Sequence, residues 1–307
     1  MSDPLISVIT PSFNQGPFIE ETIQSVLSQD YPHIEYLVID GGSTDNTIEI
    51  LRTFEGRLTW VSEPDNGQAD AINKGFRRAQ GHILCWLNSD DLYLPKSLSK
   101  VAAYFVNHPE VSMIYGGGHL VDREGKFIVR FPLEPFDLGH LAEQCYIFQP
   151  AVFFRKEVFD AVGPLNSDLH YCMDYDYWIR IGKHLGGGIG TIFDPLAEAR
   201  YYPEAKTISK REEGLEEIMA TVLRHYGYVP FGWGRAYFTQ LLFGRRITRR
   251  HLSGKVYDFK KNAEIHGVSD LARRCYAIVT SVLFKGKGDQ FNGLGMASVK
   301  LIKRIKQ

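Results

Sequence analysis

The sequence is poor in cysteine. Of 307 residues only Cys85, Cys145, Cys172 and Cys275 are cysteines, and none lies in a CxxC pair. That excludes a disulfide framework and a cysteine-based zinc site. Long apolar runs are also missing, and none reaches the ~18–20 residues that a membrane-spanning helix needs. The opening stretch MSDPLISVITP has neither a basic start nor a long apolar core, so no secretory signal is expected and the expected compartment is the cytoplasm. The first apolar run is followed by Pro11-Ser12-Phe13-Asn14 rather than GxGxxG, which argues against dinucleotide binding. There is no GxxxxGK[ST] phosphate loop and no GxSxG nucleophile elbow.

What is present is an uneven distribution of charge. Met1 to Leu223 holds 18 Lys and Arg against 32 Asp and Glu, whereas Arg224 to Gln307 holds 17 against 4. A basic region of this kind suits an anionic membrane surface or a polyanion, or a match to the chain's own acidic body. It carries no nucleic-acid-binding motif, so nucleic acid is not the expected partner. A domain boundary is expected near Lys210, giving domains 1–210 and 211–307, the second mainly helical.

The first half alternates strand and helix patterns. Ile6–Thr10, Glu35–Asp40, Leu58–Ser62 and Ile83–Leu87 are short apolar runs bounded by turn residues. Between them, Phe18–Ser28 has helical spacing, Ser43, Thr44 and Asp45 cap a helix running to about Phe54, and a further helix is expected from Gln68 to about Ala79. This alternation predicts an α/β fold with a parallel sheet. Asp40 ends one predicted strand, and Asp65 and Asp90 lie in the loops after two others. The C-terminal ends of parallel strands share one edge, so these acids are expected to converge on one crevice. The pattern then changes. Ser112–Tyr115, His119–Asp122 and Phe127–Phe131 read as short strands, with turns at Gly116–Gly118 and Glu124-Gly125. Pro150–Phe154 reads as a strand preceded by Gln149. Ile192-Phe193 and Ala197–Tyr202 read as extended pieces. Asn166–Lys183 reads as helical, with Asp174 and Asp176 at its start, where the helix dipole favours carboxylates. Within it, Trp178 has the phase of a core residue. Glu213–Tyr226, Phe231–Arg250, Leu271–Phe284 and Ala297–Gln307 are further helix candidates.

Four segments in this order, ISVITPSFNQGPF, VIDGGSTDNT, ILCWLNSDDLYLP and MDYDYWIR, resemble the family 2 glycosyltransferases with the GT-A fold. The resemblance covers Leu5 to about Gly182. It implies a Rossmann-like mixed sheet with flanking helices. It also implies an inverting, metal-dependent transfer from a nucleotide-diphosphate sugar, with a UDP-sugar as the default, to a glycan or lipid-linked acceptor in surface polysaccharide synthesis. By position, Asp40 is expected on the nucleobase and Pro11 along its pocket. Asp65 or the Gly67 backbone would supply a further nucleotide contact. Asp90 would hold Mg²⁺ or Mn²⁺ on the diphosphate, with Ser89 beside it. Gln149 is expected at the donor or acceptor, and Lys206 on the phosphates. Asp174 aligns best with the catalytic base, with Asp176 as its rival. The chain departs from the pattern at Asn88, where the family's acidic motif begins with Asp. An amide is a weaker metal partner and could serve the ribose or sugar instead. A nucleotidyltransferase of similar architecture, and an idle scaffold protein of a glycan-assembly complex, remain as alternatives. The basic region suggests docking on the inner face of a membrane.

Overall fold

The structure is a computed structural model that describes residues 3–243. The helix candidates Leu271–Phe284 and Ala297–Gln307, and the end of the Phe231–Arg250 stretch, lie outside the described residues. The chain divides into two compact units, one of Met1–Leu141 and Cys145–Lys210, the other beginning at Arg211 and including Ala142–Gln144.

The first unit opens with strand β1 (Ile6–Ser12), helix α1 (Ile19–Leu27), strand β2 (Ile34–Asp40), helix α2 (Thr47–Thr53), strand β3 (Thr59–Ser62), helix α3 (Gln68–Arg78) and strand β4 (Ile83–Trp86). Every residue of β1 and β4 is buried, as expected for strands of a sheet covered on both faces. Helix α1 buries Ile19, Ile23 and Val26, which share one face at helical spacing. Strand β1 lies between β2 and β4 and is parallel to both. The chain therefore runs outward through β2 and β3, then returns across β1 to β4. That reversal makes the C-terminal ends of β1 and β4 a topological switch point, the usual ligand position in open α/β sheets.

Strand β5 (Leu92–Tyr93), helix α4 (Ser97–Asn107), strand β6 (Met113–Val121), strand β7 (Phe127–Arg130), helix α5 (Leu138–Glu143), a 3₁₀ turn (Gln149–Ala151), strand β8 (Val152–Arg155), helix α6 (Lys156–Val162), helix α7 (Met173–Leu185), strand β9 (Ile189–Arg200) and the one-turn helix α8 (Lys206–Ser209) follow. Among the described residues the sheet has nine strands in the order β3-β2-β1-β4-β8-β6-β9-β5, with β7 paired to β6. β8 is antiparallel to both β4 and β6, so the sheet is mixed.

Two sequence expectations are corrected here. Gly116–Gly118 is not a turn, because β6 runs through it without a break. The glycines make room instead. A Cβ on Gly116 would lie 2.4 Å from Leu196 Cδ1, and one on Gly118 would lie 1.9 Å from Phe148 Cε1. Glycine within a strand often marks such a close approach. The two extended pieces around Ala197 are likewise one strand, β9, whose pairing with β6 shifts register at Gly116/Gly117 and Gly117/Gly118. The expected turn at Glu124-Gly125 is real. Asp122 Oδ1 accepts from the Glu124 and Lys126 amides at 3.1 and 2.8 Å, and Gly125 has φ +82°.

In the second unit, helices α9 (Arg211–Tyr226) and α10 (Phe231–Phe243) follow each other. Tyr237 Oη donates to Glu216 Oε1 at 2.7 Å, and Trp233 Nε1 donates to the Ala142 carbonyl at 2.9 Å. No described helix is long and apolar enough to cross a membrane.

Gly118 gives buried Phe148 its space, and Phe148 precedes Gln149. Gly118→Ala should therefore overpack the sheet and cost about 1–3 kcal/mol in denaturant unfolding. A loss below about 0.5 kcal/mol, the range of an inert surface change, would contradict this packing.

Candidate active site

The end of β2 is built around a buried acid. Asp40 is fully buried. Its Oδ2 accepts from the Gly42 amide at 3.0 Å, the Ser43 amide at 2.8 Å and Ser62 Oγ at 2.7 Å, while Oδ1 accepts from Ser43 Oγ. A buried carboxylate needs such donors, and these fold the Gly41–Ser43 loop back on itself. Asp40, expected at the nucleobase, thus meets the donors of its own loop in this structure. Asp65 takes the space above that loop. A Cβ on Gly41 would stand 2.7 Å from Asp65 Oδ2, and Asp65 Oδ1 accepts the Gly67 amide at 2.8 Å. Gly67, with φ +103°, caps α3. Pro11 and Ser12 close β1 opposite Ile39 and Asp40. Ser12 Oγ is buried and has no hydrogen-bond partner among the described residues.

Beyond β4 a set of amides locks the next loop. Gln68 Nε2, from the first turn of α3, donates to Asn88 Oδ1 at 2.7 Å. Asn88 Nδ2 donates to Asp91 Oδ2 at 3.1 Å and to Gln149 Oε1 at 3.0 Å. Gln149 Nε2 donates to the Trp86 carbonyl at 2.9 Å. Asn88 and Gln149 thus spend their amides on each other and on the β4 end. Ser89, between Asn88 and Asp90, is buried.

Asp90 and Asp91 follow, and their main protein cation is Arg200. β5 pairs antiparallel with β9, with Leu92 opposite Glu198 and Tyr93 opposite Ala197. Continuing that register brings Arg200 opposite Asp90. Arg200 Nη1 donates to the Asp90 carbonyl at 2.8 Å, and its backbone amide donates to Asp91 Oδ1 at 3.3 Å. Its Nη2 pairs with Glu21, and its guanidinium lies 5.1 Å from the Phe18 ring centre. Tyr202 Oη donates to Asp90 Oδ2 at 2.8 Å. Burial pushes Asp90 above the ordinary carboxylate range despite Tyr202 and Arg200. Asp91 is pushed further, by burial and then by the charge of Asp90. Sequence reasoning marked the loop from about Arg200 to Ser209 for the phosphates but did not join Arg200 and Tyr202 to Asp90, although their i, i+2 spacing in an extended segment puts them on one side. It chose Lys206 instead. Lys206 opens α8, with Nζ 5.5 Å from the Tyr171 ring centre.

Helix α7 brings the last acids. Asp176 is buried and ion-paired with Arg180 at 2.8 Å. Arg180 also donates to the Val162 and Pro164 carbonyls at 3.1 and 2.9 Å. Asp174 is only partly buried. It lies one turn before Trp178 on the same helix face. Trp178 is fully buried and stacks on Trp86, with ring centres 5.1 Å apart at 19°. Burial raises the Cys145 thiol, and the nearby Asp174 charge adds to the effect. Just before α7, His170 Nδ1 lies 3.9 Å from where a Cβ on Gly67 would be. The Trp86–Trp178 stack thus joins α7 to the end of β4, and the residues before α7 lie beside Gly67.

Comparison with known proteins fits this arrangement. Residues 7–159 match the model of glycosyl transferase family 2. The chain is 32% identical over 185 residues to the PGL/p-HBAD biosynthesis glycosyltransferase of Mycobacterium tuberculosis, covering 59% of this chain and 70% of that protein. The chain belongs to glycosyl transferase family 2. An uncharacterized glycosyltransferase of Rickettsia typhi is 27% identical over 191 residues, 58% of each chain. Two longer Rickettsia relatives are matched over only 38% and 34% of their length. Among solved structures, TarS 1-349 of S. aureus in complex with UDP matches with a TM-score of 0.58 at 18% identity, over 82% of this chain and 78% of that one. The mannosyltransferase PcManGT of Pyrobaculum calidifontis, in complex with GDP-Man and Mn²⁺, matches with a TM-score of 0.56 at 19% identity, over 94% and 89%. At such identity the likeness shows the fold, and the fold of this family 2 chain is GT-A.

The manganese in that mannosyltransferase complex raises the question of a metal here. Among the described residues, no group of three or more His, Cys, Asp and Glu is arranged to hold one. Asp91 is ill suited, since Asn88 and Arg200 occupy its two oxygens. Asp90 fits better. Its carboxylate meets Tyr202 through Oδ2, and Mg²⁺ sites commonly combine one or two carboxylates with substrate phosphates.

Arg200 offsets three acids at once, so Arg200→Met should cost about 3 kcal/mol in chemical denaturation. Unchanged unfolding would show that the turn does not depend on it.

Proposed function

We propose that this chain is an inverting, metal-dependent glycosyltransferase. It moves a sugar from a nucleotide-diphosphate sugar, with a UDP-sugar as the first candidate, to a hydroxyl of a glycan or lipid-linked acceptor in surface polysaccharide synthesis. The observation that carries this reading is the contrast between two acids on one helix turn. Asp176 is buried and fixed by Arg180, whereas Asp174 is more open and shares a face with Trp178. Such a difference in environment supports Asp174 as the base.

The chemistry follows from the residues. Asp65 offers an acceptor to a base N–H, while Pro11 and Ser12 line that side. The Gly67 backbone begins α3, whose N-terminal amides favour an anion. Ser89 and the Asn88–Gln149 amide pair shape the floor beneath the donor, and Lys206 adds positive charge for the phosphates. Mg²⁺ or Mn²⁺, when bound at Asp90, supplies charge neutralisation for the departing diphosphate. Asp174 takes the acceptor hydroxyl proton as that oxygen attacks the anomeric carbon and the carbon–diphosphate bond breaks. One base and no protein nucleophile means a single displacement, with inversion. General-base assistance of this kind is typically worth ~10²–10⁴-fold.

We assign residues 1–210 to this chemistry and 211–307 to docking on an anionic membrane surface, a role supported by the charge excess after Leu223. The full chain should float with phosphatidylglycerol-containing vesicles at low salt and be released as salt rises. Failure to bind at low salt would remove this role.

Asp174→Asn should lower sugar transfer by ~10²–10⁴-fold and leave nucleoside diphosphate affinity unchanged. Asp176→Asn should instead lower the melting temperature. Full turnover in Asp174→Asn would sink the assignment of the base.

A further inference from the structure

Asn88 occupies the position where the family pattern has its first acid, and its surroundings demand an amide. Its Nδ2 faces two acceptors, Asp91 Oδ2 at 3.1 Å and Gln149 Oε1 at 3.0 Å. The orientation of Gln149 is set by its other end, because the Trp86 carbonyl at 2.9 Å can only accept and so must face Nε2. Asn88 Oδ1 accepts from Gln68 Nε2 at 2.7 Å. Position 88 must therefore supply two N–H donors and one acceptor from a short side chain. Among the side chains only asparagine does this at that length. The consequence falls on the neighbouring acids. Asn88 takes one Asp91 oxygen and the Arg200 amide takes the other, while the Asp90 carboxylate is met by Tyr202.

We propose that Asn88 is a positioning residue that divides the labour of the two acids. It ties Asp91 to the sheet and leaves Asp90 to the cation and diphosphate. This inference rests on the reading of Asp90 given above. Its consequence runs against the family pattern. Restoring the acid by Asn88→Asp would set a new carboxylate against Asp91 and against Gln149 Oε1, and would replace both donors with acceptors. The restored acid would weaken the site.

The test is calorimetric titration of the full chain with UDP and with GDP, each with MnCl₂ and with EDTA. It uses the wild type, Asn88→Asp, Asp90→Asn and the exchange variant Asn88→Asp/Asp91→Asn. In the exchange variant the amide at position 91 can donate to the new acid and still accept the Arg200 amide, so the pair is restored with its partners reversed. For the nucleotide that binds, Asn88→Asp should lose roughly 10–100-fold of the manganese-dependent affinity, the range of residues that orient a metal ligand. Affinity in EDTA should hardly change, and the exchange variant should recover part of the loss, since Gln149 Oε1 still faces the new carboxylate. Equal or tighter manganese-dependent binding by Asn88→Asp overturns the proposal, as does an exchange variant no better than the single one. If Asn88→Asp does not fold, recovery of folding and binding in the exchange variant supports the proposal and its absence overturns it. Failure of the underlying reading has a separate signature: manganese-dependent binding that Asp90→Asn leaves intact.

Discussion

Two adjacent carboxylates in a buried turn form the constraint on which the rest of the site depends. Asp90 and Asp91 follow β4 where the sheet is covered, and like charges so placed repel each other strongly. Two devices offset this and a third braces the turn. Arg200 reaches across from β9 and Asn88 donates to the Asp91 carboxylate, while Thr22 Oγ1 of α1 holds the backbone by donating to the Asp91 carbonyl at 2.9 Å. Each device comes from a different part of the chain, so the turn exists only once the mixed half of the sheet has closed on the parallel half. The register of β5 against β9 links the two, because it sets Arg200 opposite the acids.

The same arrangement explains how three strand ends serve one crevice with different acids. Asp40 is enclosed and organises its own loop. Asp65 stands over that loop, in space that exists because residue 41 is glycine. Asp91 is held by donors on both oxygens, while Asp90 receives Tyr202 on Oδ2. On α7 the pattern repeats, with Asp176 locked to Arg180 and Asp174 left more open. The stacked Trp86 and Trp178 hold α7 against the end of β4, and the Gln149 amide fastens to the same strand end.

Much of the parallel half was legible in the sequence. Its strands and helices have clean periods, and parallel connectivity forces the strand ends onto one edge. Trp178 was also readable as core from its phase with Ile181. The mixed half was not, because glycine has two meanings. Gly116–Gly118 reads as a turn in isolation, and only the positions of Leu196 and Phe148 reveal it as a site of close approach. The enclosure of Asp40 was not legible either, since nothing local says whether an acid at a strand end faces inward or outward. Arg200 was invisible as the partner of Asp90 because the two are brought together by a pairing register between distant strands. The amide set of Gln68, Asn88 and Gln149 also joins three separate segments, so the departure at Asn88 looked like a defect in a metal motif rather than a requirement of its surroundings.

The central claim is that this crevice cleaves a nucleotide-diphosphate sugar by direct displacement. The most direct measurement is NMR of the purified chain with a panel of nucleotide sugars and MnCl₂, with no acceptor beyond water. It follows nucleoside diphosphate release and the anomer of the sugar first formed. The account predicts slow, EDTA-sensitive release from one donor class, with the freed sugar appearing first as the inverted anomer. Release with retention, or cleavage that gives nucleoside monophosphate and sugar phosphate, would contradict it.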